Sequence, residues 1–338
     1  MTTSAEHNHA AASECDISFV VIGYNESEFL EECLESVKHA DLDGLTWELI
    51  YVDGGSADSS IDIAREVGVD DLLGGEKRRR AAENRNLGLA EAKGRFVQFL
   101  DGDMVLSPDW PRAALEFLRS HHDVAAVCGN LNEATPGILF KALQIDWVPR
   151  EAAIRHCGGA AMYIRETLQK AGGFPTDVAY GEEPLLCWRL RNDHNMRIYQ
   201  LNRVMAEHNL GFRGIRDYWR RNVRCGQTYA EIASRCWRTP DPLWRKECLR
   251  NAGWAFAILA VIVLLAFGNM WIRLAMLSIL ILVLTRKFLQ TKLRGYPSSV
   301  AIVYAIHTYF SKLSIAWGEA RWVIKRLFSK RRRQELIP

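Results

Sequence analysis

Two carboxylates flank a single glycine in Asp101-Gly102-Asp103, which follows Phe99 and Leu100 and precedes Met104, Val105 and Leu106. Apolar neighbours on both sides anchor the acids at the end of a strand. Oxygen donors at this spacing suit a hard divalent ion, which readily bridges one or two carboxylates to phosphates. Residues two apart on a strand line the same face, so both acids can serve one ion, and Gly102 also lets the backbone turn there. An isolated Asp-x-Asp is also a common solvated turn, so its neighbours decide. Asp53-Gly54-Gly55-Ser56 reads as a second polar turn, with a helix cap at Ser56 or Asp58. A third cluster, Gly23-Tyr24-Asn25-Glu26, follows the first apolar run. Glu182-Glu183 stands before Pro184, where acids complement a helix dipole or serve as proton acceptors.

The segments that carry these clusters alternate in period. Ile17 to Ile22, Trp47 to Val52 and Arg95 to Leu100 are short β-branched or aromatic runs that read as strands. Glu28 to Lys38, Asp58 to Val67, Ala81 to Lys93 and Pro108 to Arg119 read as the helices between them. Repeated βα units imply a mostly parallel α/β sheet covered on both faces, whose ligands bind at the carboxyl ends of the strands. All three polar clusters are expected at that edge. Val124 to Tyr199 continues as mixed strand and helix, with turns at Gly158-Gly159 and Gly172-Gly173.

The order of these pieces resembles the family 2 glycosyltransferases. The matching segments are Gly23-Tyr24-Asn25-Glu26, Val52-Asp53-Gly54-Gly55-Ser56-Ala57-Asp58, Arg85-Asn86-Leu87-Gly88, Phe99-Leu100-Asp101-Gly102-Asp103, Gly172-Gly173-Phe174 and Gly181-Glu182-Glu183. The resemblance spans residues 17–234 and implies a Rossmann-like α/β domain of the GT-A type that transfers a sugar from a nucleotide carrier with inversion. Carried over, Asp53 contacts the nucleoside, Asp101 the ribose or the metal, and Asp103 the metal on the diphosphate. Tyr24, Asn25 and Glu26 line the base and ribose side, and Arg85 lies near the donor. Glu183, or its neighbour Glu182, takes the base position, where the family usually has the Asp of a Glu-Asp pair. His208 occupies a position where related enzymes add a metal ligand. The implied cofactor is Mg2+ or Mn2+, and the implied partners are a UDP- or GDP-sugar donor and a lipid-linked or glycolipid acceptor in cell-envelope glycan synthesis. Processive synthases carry Gln-x-x-Arg-Trp near Tyr218 to Arg224; this chain does not, which points to single-sugar addition. Two alternatives remain: a polyprenyl-phosphate acceptor, already anionic, or a catalytically silent binder of nucleotide sugars.

The remainder of the chain changes character. Residues 1–15 are small and polar and read as a disordered leader, residues 16–235 as the transferase domain, and residues 236–338 as a membrane-associated region. An apolar run of about 17 residues covers 252–268, and one of about 16 covers 270–285, broken only by Arg273. Basic residues flank the pair on both outer sides, Arg245, Lys246 and Arg250 before it and Arg286, Lys287 and Lys292 after it. The expectation is a helical hairpin with both outer ends cytoplasmic, followed by an interfacial helix over about 298–328. This places the protein at the inner membrane with its catalytic domain in the cytoplasm.

Bulk charge narrows the choice further. A net charge of +3 is too small to argue for nucleic acid as a partner. The basic run Lys77 to Arg80 could approach a phosphate or an acidic acceptor, but such a run is more often a solvated loop and is left out of the core site. Eight cysteines without a CxxC pair fit a reducing compartment.

Overall fold

The structure, a computed structural model, describes residues 15–209, 211 and 214–334. The expected leader falls outside the described residues except for Cys15. In chain order the elements begin β1 (Ile17–Gly23), α1 (Leu30–Lys38), β2 (Trp47–Asp53), α2 (Ser60–Val67), β3 (Asp71–Gly74) and α3 (Ala81–Glu91). Next come β4 (Phe96–Asp101), β5 (Met104–Leu106), α4 (Trp110–Ser120), β6 (Val124–Glu133), α5 (Ile138–Leu143), β7 (Ala152–Ile154), β8 (Ala161–Ile164) and α6 (Arg165–Lys170). The chain continues with α7 (Glu182–Asn192), β9 (Arg197–His208), α8 (Ile215–Cys236), α9 (Arg245–Phe267), α10 (Met270–Leu293) and α11 (Ser298–Gln334).

These elements form two compact units. One takes in Met1–Asn130, Arg150–Pro175 and Arg189–Glu207; the other takes in Leu131–Pro149, Thr176–Trp188 and His208–Pro338.

The first unit is built on a sheet of order β3-β2-β1-β4-β8-β6-β9-β5, with β7 paired to β9. The strands β3, β2, β1 and β4 run parallel, and β8 is antiparallel to both β4 and β6. All seven residues of β1 are buried, as are six of seven in β2. Burial at consecutive rather than alternate positions means both faces of these strands are covered, as a parallel sheet requires. The expected strands and helices around them are present, shifted by a residue or two at their ends. Deeper in the unit, Phe99 meets Phe174 edge to face at 5.0 Å and Tyr163 at 5.9 Å. Trp110 is fully buried and donates its indole N–H to Gln98 Oε1 at 2.9 Å, which satisfies both polar groups inside the core.

The second unit is helical. Helices α8 and α11 cross where Gly226 faces Gly318: a Cβ on Gly226 would lie 1.9 Å from the Ile315 carbonyl oxygen, and one on Gly318 would lie 2.1 Å from that of Val223. Only glycine allows the two backbones to approach so closely. Val300, Ala301, Tyr304, Ala305, Ser311, Ser314 and Ile315 are buried along one stripe of α11, at the spacing of a helix face turned towards neighbouring helices. Helices α9 and α10 are joined by Gly268 and Asn269 alone. The Asn269 side chain caps α10 by accepting from Ile272 N at 3.0 Å, and Arg273 Nη2 donates to the Ala266 carbonyl at 2.9 Å. The charge that interrupts the second apolar run thus satisfies an orphan carbonyl in the last turn of α9. Among the described residues one helix, Arg245–Phe267, is long and apolar enough to cross a membrane, and only 6% of its apolar window is buried in the protein.

Candidate active site

Parallel register brings the polar clusters together. Gly23 pairs with Asp53 and Asp53 with Gly74, while Ile22 pairs with Asp101. The ends of β3, β2, β1 and β4 therefore stand side by side, and the loops that leave them share one edge. Asp53 is 1% exposed and accepts at Oδ2 from the backbone N–H of Gly55 at 2.7 Å and of Ser56 at 2.8 Å. The Tyr51 hydroxyl donates to Oδ1 at 3.3 Å. Gly55 sits at φ +87°, with the Lys77 carbonyl 2.7 Å from where a Cβ would be, so no other residue fits this bend.

The loop after β1 is clasped to this turn. Asn25, at φ 57°, donates its N–H to Ser56 Oγ at 2.8 Å and accepts from Ala57 N at 2.8 Å. Asp58 accepts from Ser27 N at 3.0 Å and from the Ser60 hydroxyl at 2.6 Å. Burial alone would raise the Asp58 pKa, but these donors outweigh it and hold the carboxyl down at about 2. The Asn25 amide oxygen thus holds the loop in shape.

The basic run packs against the loops after β1 and β2. The Arg78 guanidinium stacks 3.5 Å over the Tyr24 ring and donates to the Gly54 carbonyl at 3.3 Å, and the Arg79 N–H donates to the same carbonyl at 3.0 Å. Arg79 Nη1 and Asn84 Oδ1 are buried without a hydrogen-bond partner among the described residues. Sequence reading weighed the basic run for phosphate contact and left it out of the core site. Gly74-Gly75 marks a turn before the run, but nothing local says that the run folds back over Gly54.

Arg85 is 2% exposed and donates to Asp101 Oδ1 at 2.7 Å, with its guanidinium 5.6 Å from the Phe174 ring. A Cβ on Gly159 would lie 2.3 Å from Arg85 Nη2, so the glycine leaves room for the ion pair. Arg85 is thus buried against Asp101 and presents no exposed surface of its own. Next to it, Asn86 accepts from Phe174 N and donates to Phe174 O, both at 2.8 Å, which ties the Arg85-Asn86-Leu87-Gly88 and Gly172-Gly173-Phe174 segments together.

Asp103 lies on the tight turn between β4 and β5. Gly102 is not in the left-handed region, so the turn is made without the conformational freedom expected of it; a Cβ there would sit 3.4 Å from Glu26. Glu26 is brought in beside these acids. Burial, followed by the charges of Asp103, Asp101 and Asp58, raises its pKa to about 7. Carboxylates crowded in this way, with one guanidinium bonded to Asp101, form an oxygen-donor set that suits a hard cation. Among the described residues no three His, Cys, Asp or Glu side chains are grouped to hold a metal by themselves. A divalent ion held here would need further ligands from phosphate and water, as magnesium commonly does.

The remaining candidates belong to the second unit. Glu182 and Glu183 occupy the first turn of α7, which begins two residues before the expected Pro184, and Glu182 is 9% exposed. His208 ends β9; its carbonyl accepts from Ala134 N at 3.0 Å and its ring lies 6.3 Å from that of Trp147.

The glycosyl transferase family 2 profile matches residues 18–170. Those residues are a family 2 glycosyl transferase domain. The family 2 domain holds Asp53, Arg85, Asp101 and Asp103. Poly-beta-1,6-N-acetyl-D-glucosamine synthase of Staphylococcus epidermidis is 32% identical over 189 residues, which cover 52% of this chain and 45% of that protein. Glycosyltransferase AglE of Haloferax volcanii is 27% identical over 124 residues, which cover 36% and 40%. The match spans less than half the length of either relative. In three dimensions the chain is similar to the mannosyltransferase PcManGT from Pyrobaculum calidifontis, solved in complex with GDP-Man and Mn2+. The TM-score is 0.66 at 19% identity, over 90% of this chain and 86% of that one. The likeness extends the GT-A-type fold beyond the family 2 domain to most of the chain.

Proposed function

We propose that the chain is an inverting, metal-dependent glycosyltransferase that moves one sugar from a UDP- or GDP-sugar to a hydroxyl of a lipid-linked or glycolipid acceptor in cell-envelope glycan synthesis. The reading is carried by the parallel register that sets Asp53 and Asp101 at one sheet edge inside the family 2 domain. PcManGT, of the same fold, was solved with a GDP-sugar and manganese, the classes of donor and cofactor proposed here.

In this reading Asp103 and Asp101 hold Mg2+ or Mn2+, with His208 as a further ligand; when bound, the ion offsets the charge that gathers on the departing diphosphate. Arg85 fixes the orientation of the Asp101 carboxylate. Asp53 keeps the Gly54-Gly55-Ser56 loop shaped for the nucleoside, and Tyr24 under Arg78 offers a flat face to the base. Arg79 supplies a buried guanidinium nitrogen that an anionic donor satisfies. Glu183 takes the proton from the acceptor hydroxyl as the new bond forms, and Glu182 is the alternative base. Helices α9 and α10 anchor the chain as a hairpin whose basic outer ends stay in the cytoplasm.

The test uses the full chain, with nucleotide sugars screened for metal-dependent thermal stabilisation and then for transfer. Full activity in Asp103→Asn overturns the assignment. Glu183→Gln is expected to abolish transfer to a hydroxyl; an unimpaired variant instead assigns a polyprenyl phosphate, an acceptor that needs no strong base.

A further inference from the structure

The second unit encloses a cavity of 610 Å³ among its C-terminal helices. Four cations line it: Arg250 from α9, Arg286 and Lys287 from α10, and Lys312 from α11. One carboxylate, Asp146, lines it with them, and that group already accepts the Tyr304 hydroxyl at 2.6 Å. Lys312 donates to Asn251 Oδ1 at 3.0 Å, and the Lys287 ammonium lies 4.7 Å from the centre of the Tyr304 ring. Among the described residues none of the four cations has a carboxylate oxygen within 4.0 Å. Burial, then Arg250, pushes the Lys312 pKa down, the response of a cation that gains too little opposite charge. Positive charge gathered in a partly enclosed space is stabilised by an anion with several oxygens, and a phosphate offers enough acceptors to meet donors from three helices at once.

The position of the cations narrows the source. Arg250 stands eighteen residues before Gly268 and Arg286 eighteen after it, in helices joined at that turn. At about 1.5 Å per residue both lie about 27 Å from the turn, close to the ~30 Å hydrocarbon thickness of a bilayer. In a hairpin that inserts turn-first, this is the level of lipid phosphates. Trp254, one helical turn from Arg250, also lines the cavity, at the depth where indoles settle in an interface.

We propose that this cavity binds the phosphate of an anionic lipid headgroup. The phosphate chemistry stands on the lining residues alone, whereas the lipid source rests on the hairpin reading given above.

The experiment is calorimetric titration of the full chain in neutral detergent with short-chain phosphatidic acid, with short-chain phosphatidylcholine, and with inorganic pyrophosphate alone. Arg250→Gln and Arg286→Gln are the variants of choice. Neither arginine side chain has a hydrogen-bond partner among the described residues, so each change removes charge without orphaning a buried group, and unchanged melting temperatures check the fold. Saturable binding of phosphatidic acid over phosphatidylcholine is expected, weakened about tenfold by either variant. Saturable pyrophosphate binding with the same variant sensitivity, and no preference among lipids, overturns the lipid source and keeps the phosphate site. Equal binding by wild type and both variants overturns the site. Flotation with vesicles reports the anchor separately: a chain that floats yet does not discriminate between the two lipids rejects this inference and leaves the hairpin standing.

Discussion

The sheet edge of the first unit and the cavity of the second concentrate charge of opposite sign by different means. At the edge, burial and the charges of Asp103, Asp101 and Asp58 raise Glu26 to about 7, and Arg85 is bonded to Asp101. In the cavity, four cations share one carboxylate. The edge is built by backbone: strand register aligns the loop origins, and main-chain N–H groups bonded to Asp53 and Asp58 fix the loops. The cavity is built by helix spacing, with side chains from α9, α10 and α11 meeting across long intervals of sequence. Backbone placement gives the positional accuracy that bond-making chemistry needs. Long flexible cations around a hollow give a site that tolerates some variation in its ligand.

The contrast can be broken at several points. The largest effect is expected from Asp103→Asn, with transfer reduced about 100-fold or more and the melting temperature nearly unchanged. Transfer by Arg286→Gln should remain near wild type, and an equal loss there would erase the distinction between the two regions. Chelation comes next. Dialysis against a chelator should abolish transfer and leave phosphatidic acid binding intact, with Mg2+ or Mn2+ restoring the activity. Arg85→Ala should lower stability by roughly 2 to 3 kcal/mol, measured by urea unfolding, because Asp101 loses its buried partner; the cost stays below that of a fully buried pair because the Asp101 side chain is 34% exposed.

The smallest effect is a pH response. Asp58 has its pKa held at about 2 against an ordinary value of 3.8. Its stabilising contribution is therefore complete above about 4 and fades as pH falls towards 2. Because Asp58 is exposed, the difference between wild type and Asp58→Asn should be a fraction of a kcal/mol. It should be visible as converging acid-unfolding midpoints below pH 2.

Local pattern made the strand edges legible and left the cavity hidden. The first strand, the second and the strand before Asp101 were readable from runs of apolar residues bounded by glycine and acid. The four residues of β3, Asp71–Gly74, were not, because so short an edge strand carries too little apolar pattern to be told from a loop. Asn25, Asn86 and Arg85 were readable as important, but their bonding partners lie 32, 88 and 16 residues away along the chain, so the sequence offered no way to choose between ligand contact and loop support. Arg78 and Arg79 looked like a solvated run because nothing local indicates that the chain folds back over Gly54. The second unit was readable as apolar helices, whereas the meeting of Arg250, Arg286 and Lys312 depends on helix packing, which no single segment encodes.

The glycine crossing of α8 and α11 bears on how durable that meeting is. A seam with no side-chain volume at its closest point has nothing to trade when neighbouring residues drift, so α11 can neither slide along α8 nor roll on it without main chain striking main chain. The rotational phase of α11, and with it the direction in which Lys312 points, is set by the hydrogen atoms of two glycines.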